Sequence, residues 1–133
     1  MKNYERILNE LEQQGGKFTD AKFPPQTESY DENINEDESY GDIEWYRASK
    51  MPSFTDPDGK CIMDPLSASP MDFTKYISKN GFLISCLSVL AENPKTIDRL
   101  FLTKTSNNQS LYALRLYRKG KPQSVVIDDF LPT

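Results

Sequence analysis

Few residues in this 133-residue chain have side chains suited to catalysis, and the most informative count is that of histidine, which is zero. Histidine is the commonest general base, so neither a Ser-His-Asp nor a Cys-His mechanism can be completed by this polypeptide alone. Two cysteines, Cys61 and Cys86, are too few for a disulfide-dense scaffold or a structural zinc site. Any catalytic activity therefore needs other groups or a second chain.

Both cysteines are predicted to be unreactive. Cys86 lies in an apolar run beside Leu83, Leu87 and Leu90, which indicates a buried and inert core thiol. Cys61 lies in a loop rich in Pro and Gly, with no basic partner at a recognisable spacing. The sequence thus offers no obvious thiolate nucleophile.

Carboxylates are the remaining candidates for chemistry. The segment 28–44 contains eight acidic residues and no Lys or Arg, which predicts a solvated acidic loop. Weak calcium binding, or contact with a basic partner surface, stays open as the alternative for this loop. The adjacent residues Asp128 and Asp129 would point to opposite faces of a strand, which disfavours joint acid–base catalysis.

Charge and hydropathy limit the classes of partner. The net charge is −4, a poor match to nucleic acid or to an anionic membrane surface. The N-terminus is charged where a signal peptide needs an apolar core, and no apolar run approaches the length of a membrane span. We therefore expect a protein partner, no nucleic acid and no membrane insertion.

The elements that would position these residues predict a mixed α+β fold. Residues 1–16 form an amphipathic docking helix that ends at a Gly-Gly pair, and residues 80–92 form a central helix that is apolar nearly all round and therefore buried. A shorter helix follows from Pro94, which is suited to the first position of a helix. Strand-like runs within about 111–130 predict a C-terminal antiparallel hairpin.

Several short motifs, taken in chain order, resemble the first half of the papain-like protease core of calpains. They are Phe23-Pro24-Pro25, Ile43-Glu44-Trp45-Tyr46-Arg47, the helix exit Ala91-Glu92-Asn93-Pro94, and the closing run Asp128-Asp129-Phe130-Leu131-Pro132. This resemblance implies that residues 17–133 form the first, cysteine-bearing subdomain of such a core. It also implies that Phe23, Pro24, Trp45, Asp128 and Asp129 are structural signature residues.

The same resemblance implies that the catalytic elements are replaced. Calpains carry their catalytic cysteine at the N-terminus of the central helix, and alignment back from the helix exit puts Gly81 there. Lys75 stands where the family places the oxyanion-hole glutamine. The histidine and asparagine of the family belong to a second subdomain beyond the closing motif, and this chain ends at Thr133.

These expectations describe a non-enzyme without a cofactor: a calpain-like pseudoprotease that acts as a structural or protein-binding subunit of a larger assembly. Its protein partner would cover the half-cleft surface that the second subdomain occupies in calpains. We expect a cytoplasmic location, with a cytoskeletal assembly as one candidate. The alternatives are a regulatory partner of an active calpain, or a calcium-dependent cysteine endopeptidase fragment that needs a second chain.

Overall fold

The computed structural model describes residues 2–26, 29, 43–58, 63–73 and 81–133. Helices and strands alternate irregularly along these ranges, joined by four short 3₁₀ turns, so the predicted α+β class is confirmed. The helices and strands are α1 (Lys2–Gln14), β1 (Trp45–Arg47), α2 (Gly81–Ala91), α3 (Pro94–Leu100), β2 (Tyr112–Arg118), β3 (Lys121–Ile127) and β4 (Phe130–Pro132).

The chain divides into two compact units, and each is described by itself. The first unit contains Met1–Ile62, Ser106–Tyr112 and Val126–Thr133, and the second contains Met63–Thr105 and Ala113–Val125. The second unit is therefore inserted in sequence between parts of the first.

In the first unit, α1 ends at a glycine, as the sequence predicts. Gly15 has a φ of +69°, a left-handed backbone conformation that residues other than glycine rarely adopt. Its backbone N–H donates to the carbonyl of Leu11 at 2.9 Å, which satisfies one of the carbonyls left open at a helix end. No residue of α1 is fully buried, so its apolar stripe is only partly covered.

A short antiparallel pair connects distant parts of the first unit. Strand β1 pairs with β4, with Trp45 opposite Pro132 and Arg47 opposite Phe130. The sequence does not predict β4 as a separate strand. The core of this unit lies nearby: Ala48, Ser110, Leu111, Tyr112 and Asp129 are buried.

In the second unit, α2 packs against the 3₁₀ turn Pro70–Phe73 and against α3. The hydroxyl of Ser88 on α2 donates to the carbonyl of Pro70 at 3.2 Å. Helix α3 begins at Pro94, as predicted, and the side chain of Asn93 caps it by accepting from the backbone N–H of Lys95 at 3.2 Å.

The burial predicted for the central helix is wrong for this chain. Of the residues of α2, only Ala91 is buried, while Phe82 and Val89 are 75% and 71% exposed. Apolar residues all round a helix indicate that it can be buried, but the pattern cannot say which chain supplies the cover. In the described part of the chain, the packing of α2 against α3 and the Pro70–Phe73 turn leaves these side chains open to solvent.

The C-terminal hairpin is present within the predicted range, formed by β2 and β3. Lys119 and Gly120 form its two-residue connection and both have positive φ values, 51° and 73°. Positive φ at both positions is what a type I′ turn requires, and this turn suits the twist of paired strands. The second strand is β3 (Lys121–Ile127), so Asp128 and Asp129 lie after it rather than within it.

Candidate functional site

The position that the calpain resemblance assigns to the nucleophile is the first residue of α2. Gly81 is exposed, and its carbonyl accepts a hydrogen bond from the hydroxyl of Ser85 at 2.8 Å. A Cβ atom built on Gly81 would meet no heavy atom within 4 Å among the described residues. The position therefore has room for a nucleophilic side chain but carries none. The oxyanion-hole position, Lys75, lies outside the described residues.

Cys86 is exposed, so the prediction of a buried core thiol is wrong. It lies on the part of α2 that the structure leaves uncovered, near the exposed Leu83 and Val89. Cys86 lies five positions after Gly81, which corresponds to about 7.5 Å along the helix axis. The thiol is accessible but lies beyond the first turn, where the field of the helix terminus is strongest. Cys61, the other predicted unreactive thiol, lies outside the described residues.

The paired acidic residues of the closing motif have separate contacts in the first unit. The carboxylate of Asp128 accepts from the backbone N–H of Asp20 at 2.8 Å and from that of Phe130 at 3.2 Å. The carboxylate of Asp129 instead receives the guanidinium of Arg47 at 2.6 Å. Asp128 thus holds the backbone at two positions, whereas Asp129 pairs with a side chain, and these contacts have no partner in common.

Arg47 is the centre of this polar cluster. Its guanidinium also donates to the carbonyl of Phe18 at 2.8 Å and to the hydroxyl of Thr19 at 3.0 Å, and it lies 4.1 Å from the centre of the Phe130 ring. The side chains of Arg47 and Asp129 are 13% and 4% exposed, so the ion pair is largely shielded from water. We call the set Phe18, Thr19, Arg47, Asp129 and Phe130 the Arg47 cluster.

The aromatic signature residues also meet in the first unit. The rings of Phe23 and Trp45 lie edge to face, with centroids 6.1 Å apart and an interplanar angle of 79°. Pro24 follows Phe23, and its carbonyl accepts from the backbone N–H of Gln26 at 2.9 Å. The indole N–H of Trp45 is buried and has no hydrogen-bond partner among the described residues.

Sequence reasoning assigned no role to Arg47, although it lies within the Ile43–Arg47 motif. The signal that could have indicated its ion pair is a charge match. Arg47 ends a short segment of alternating apolar and polar residues, and the closing motif contains two adjacent acids, Asp128 and Asp129. Tyr46 was also missed: its hydroxyl donates to the carboxylate of Glu44. That hydrogen bond, together with the negative charge of Glu44, raises the pKa of Tyr46 above 10.0.

Within the described residues, no group of three or more His, Cys, Asp or Glu side chains is placed to hold a metal ion. Most of the acidic loop 28–44 lies outside those residues, so calcium binding there stays a prediction. The helices that the structure describes include none long and apolar enough to cross a membrane.

Comparison with known proteins defines the class of this chain. A family model described as calpain family cysteine protease matches residues 18–133. Calpain-5 of Caenorhabditis elegans is 32% identical over 139 residues, which cover 98% of this chain and 20% of that protein. The calpain-type cysteine protease DEK1 of Arabidopsis thaliana is 27% identical over 136 residues, covering 99% of this chain and 6% of that protein.

The chain therefore belongs to the calpain family of cysteine proteases, as its motifs predict. It spans one fifth or less of the length of these two relatives. The family match includes the Arg47 cluster and the α2 position occupied by Gly81, so both features lie within the protease-like part of the sequence.

Proposed function

We propose that this chain is a catalytically inactive calpain-like module that acts as a structural or protein-binding subunit of a larger assembly. The observation that carries the proposal is Gly81 at the start of α2. The helix is retained, and a side chain at its first residue would have open space, yet glycine supplies no atom that could attack a carbonyl.

The exposed thiol of Cys86 does not substitute for the nucleophile in this proposal. A papain-like nucleophile is activated at a helix N-terminus and by a neighbouring imidazolium. Cys86 lies in the middle of α2, beyond its first turn, and the chain contains no imidazole. Because Cys86 is exposed, thiol reagents can reach it, but reaction with such reagents does not require an activated catalytic thiolate.

The exposed apolar side chains of α2 support the binding role. Phe82, Leu83 and Val89 project from one 11-residue helix, and Leu66 and Met71 of the same unit are 56% and 69% exposed. Large apolar side chains clustered at the surface of a small unit favour contact with another protein over free exposure to water. We propose that a protein partner covers this face of α2 in the assembly.

The test uses the chain as it exists in its assembly. The protein is captured from its source cells under native conditions, and the eluate is assayed for calcium-stimulated peptide cleavage and for labelling of this chain by an epoxysuccinyl thiol-protease probe. We expect stable protein partners and no mechanism-based labelling of this chain. The matched variant is Cys86→Ser, which removes the one thiol of α2 without altering Gly81.

Two results would contradict the proposal. Peptide cleavage that co-purifies with the chain and disappears in Cys86→Ser would show that the chain contributes a nucleophile. Recovery of the chain alone, as a monomer at low concentration, would contradict the proposed role in an assembly. Cleavage that co-purifies but is unchanged by Cys86→Ser would instead favour the regulatory partner of an active calpain.

A further inference from the structure

We propose that the outer half of the β2–β3 hairpin is a docking surface for an acidic polypeptide segment of a partner protein. The surface consists of Arg115, Tyr117, Arg118, Lys119 and Lys121, and we call it the basic hairpin surface. It is separate from the apolar face of α2. The inference holds whether or not the chain is catalytically inactive, because it uses neither Gly81 nor Cys86.

Charge is the first observation. Residues 112–127 contain four cations and no Asp or Glu. Within the part of the chain that the structure describes, none of these four cations forms an ion pair, whereas Arg6, Arg47 and Lys104 each have a carboxylate partner within 2.8 Å. The hairpin therefore carries positive charge that its described surroundings do not neutralise.

The turn geometry brings like charges together. A two-residue connection through Lys119 and Gly120 places Arg118 opposite Lys121 across the hairpin. Like charges in directly opposed positions destabilise a strand pair. An anionic ligand at this end of the hairpin would relieve that repulsion, so its binding would also stabilise the hairpin.

Exposure is the second observation. All residues from 115 to 124 are exposed, on both faces of the hairpin. Tyr117 is 64% exposed and Leu116 is 37% exposed, beside the cations. Arginine and tyrosine are among the residues enriched at the centres of protein interfaces, because they offer charge, hydrogen-bond donors and apolar contact.

Charge complementarity selects the occupant. The whole chain carries −4 and the hairpin +4, so the remaining residues carry −8. The net negative charge of the whole chain disfavours the approach of an extended polyanion such as nucleic acid, or of an anionic membrane. A short acidic segment carries less charge and is therefore repelled less. The sequence of residues 28–44 shows the required composition, with eight acids and no cation, and supplies a defined probe.

The experiment measures fluorescence anisotropy of a labelled peptide with the sequence of residues 28–44, titrated with the full chain at low and at high salt. A neutral peptide, with all eight acids replaced by their amides, is the ligand control. The test variant is Arg118→Gln/Lys121→Gln. The matched variant is Lys95→Gln/Arg99→Gln, which removes the same charge from exposed positions on α3. Thermal unfolding of each variant checks that the fold is retained.

We expect the full chain to bind the acidic peptide and not the neutral one, with affinity that falls as salt shortens the screening length. The hairpin variant should bind about fivefold more weakly, as expected for the loss of two exposed ion pairs, while the α3 variant should change little. Equal weakening by both variants, or no binding at low salt, would overturn the proposal. So would binding to phosphatidylserine vesicles that depends on the hairpin while peptide binding does not.

Discussion

Removal of Arg47 tests whether shielding from water, rather than distance, determines the strength of an ion pair in this protein. Two arginines form pairs of the same length, 2.6 Å: Arg47 with Asp129 and Arg6 with Glu10. The side chains of the first pair are 13% and 4% exposed, and those of the second are 61% and 51% exposed. The substitutions Arg47→Met and Arg6→Met are therefore a matched comparison.

The expected costs differ by roughly tenfold. Arg47→Met removes the ion pair, two further hydrogen bonds and the contact with the Phe130 ring. It also leaves the buried charge of Asp129 uncompensated, and one oxygen of that carboxylate already has no hydrogen-bond partner among the described residues. Breaking a buried pair in this way costs about 3–5 kcal/mol. The exposed helical pair contributes about 0.3–0.5 kcal/mol.

Urea unfolding followed by tryptophan fluorescence measures both losses. Trp45 is the one tryptophan of the sequence and lies two residues from Arg47, so its signal reports on the first unit. Addition of Asp129→Asn to Arg47→Met removes the uncompensated charge and should recover part of the lost stability. The reasoning is refuted if Arg47→Met costs no more than Arg6→Met, or if the second substitution recovers nothing.

Three further outcomes are expected. Glu44→Gln should lower the pKa of Tyr46 towards its ordinary value, because the carboxylate accepts from the phenol and repels the phenolate; ring-resonance titration by NMR would detect the shift, and an unchanged titration would contradict the assignment. Since this pKa is raised in the folded state, the associated stability is present below pH 10 and is lost as pH rises through the folded pKa. Cys86 should react with a disulfide reagent without denaturant, and mass spectrometry should map the adduct to α2; protection until unfolding would contradict its exposure. Gly120→Ala should lower the melting temperature through a cost of about 1–2 kcal/mol, because its φ is +73°, whereas Lys119→Gly should not.

Local signals in the sequence were sufficient for the helix ends and the hairpin. Gly15 and Pro94 act through their own backbone conformations, so their effects are readable without knowledge of the rest of the fold. The limits of β3 were harder to predict, because residues 121–124 are polar and exposed and show no alternation of apolar and polar residues. Hydrogen bonding to β2, rather than side-chain pattern, makes them a strand.

Long-range pairings were not predictable in the same way. Arg47 and Asp129 are 82 residues apart, and their opposite charges alone do not establish that they lie in contact. The exposure of α2 was mispredicted for a related reason. The apolar residues of a helix show that it can be buried. Whether it is buried depends on which other parts of the protein, or of a partner, pack against it. Thus the family followed from the order of motifs, whereas the Arg47 cluster required the structure.

The pairing of β1 with β4 has a consequence for the order of folding during synthesis. Trp45 leaves the ribosome long before Pro132, its partner in the register, and Glu44 accepts from the backbone N–H of Thr133 at 2.8 Å. Local contacts of the second unit can form while translation continues, because its helices are close in sequence. In the first unit, the ion pair between Arg47 and Asp129 cannot form until residues 126–133 have been synthesised. During synthesis, β1 therefore remains without its strand partner until β4 has been made.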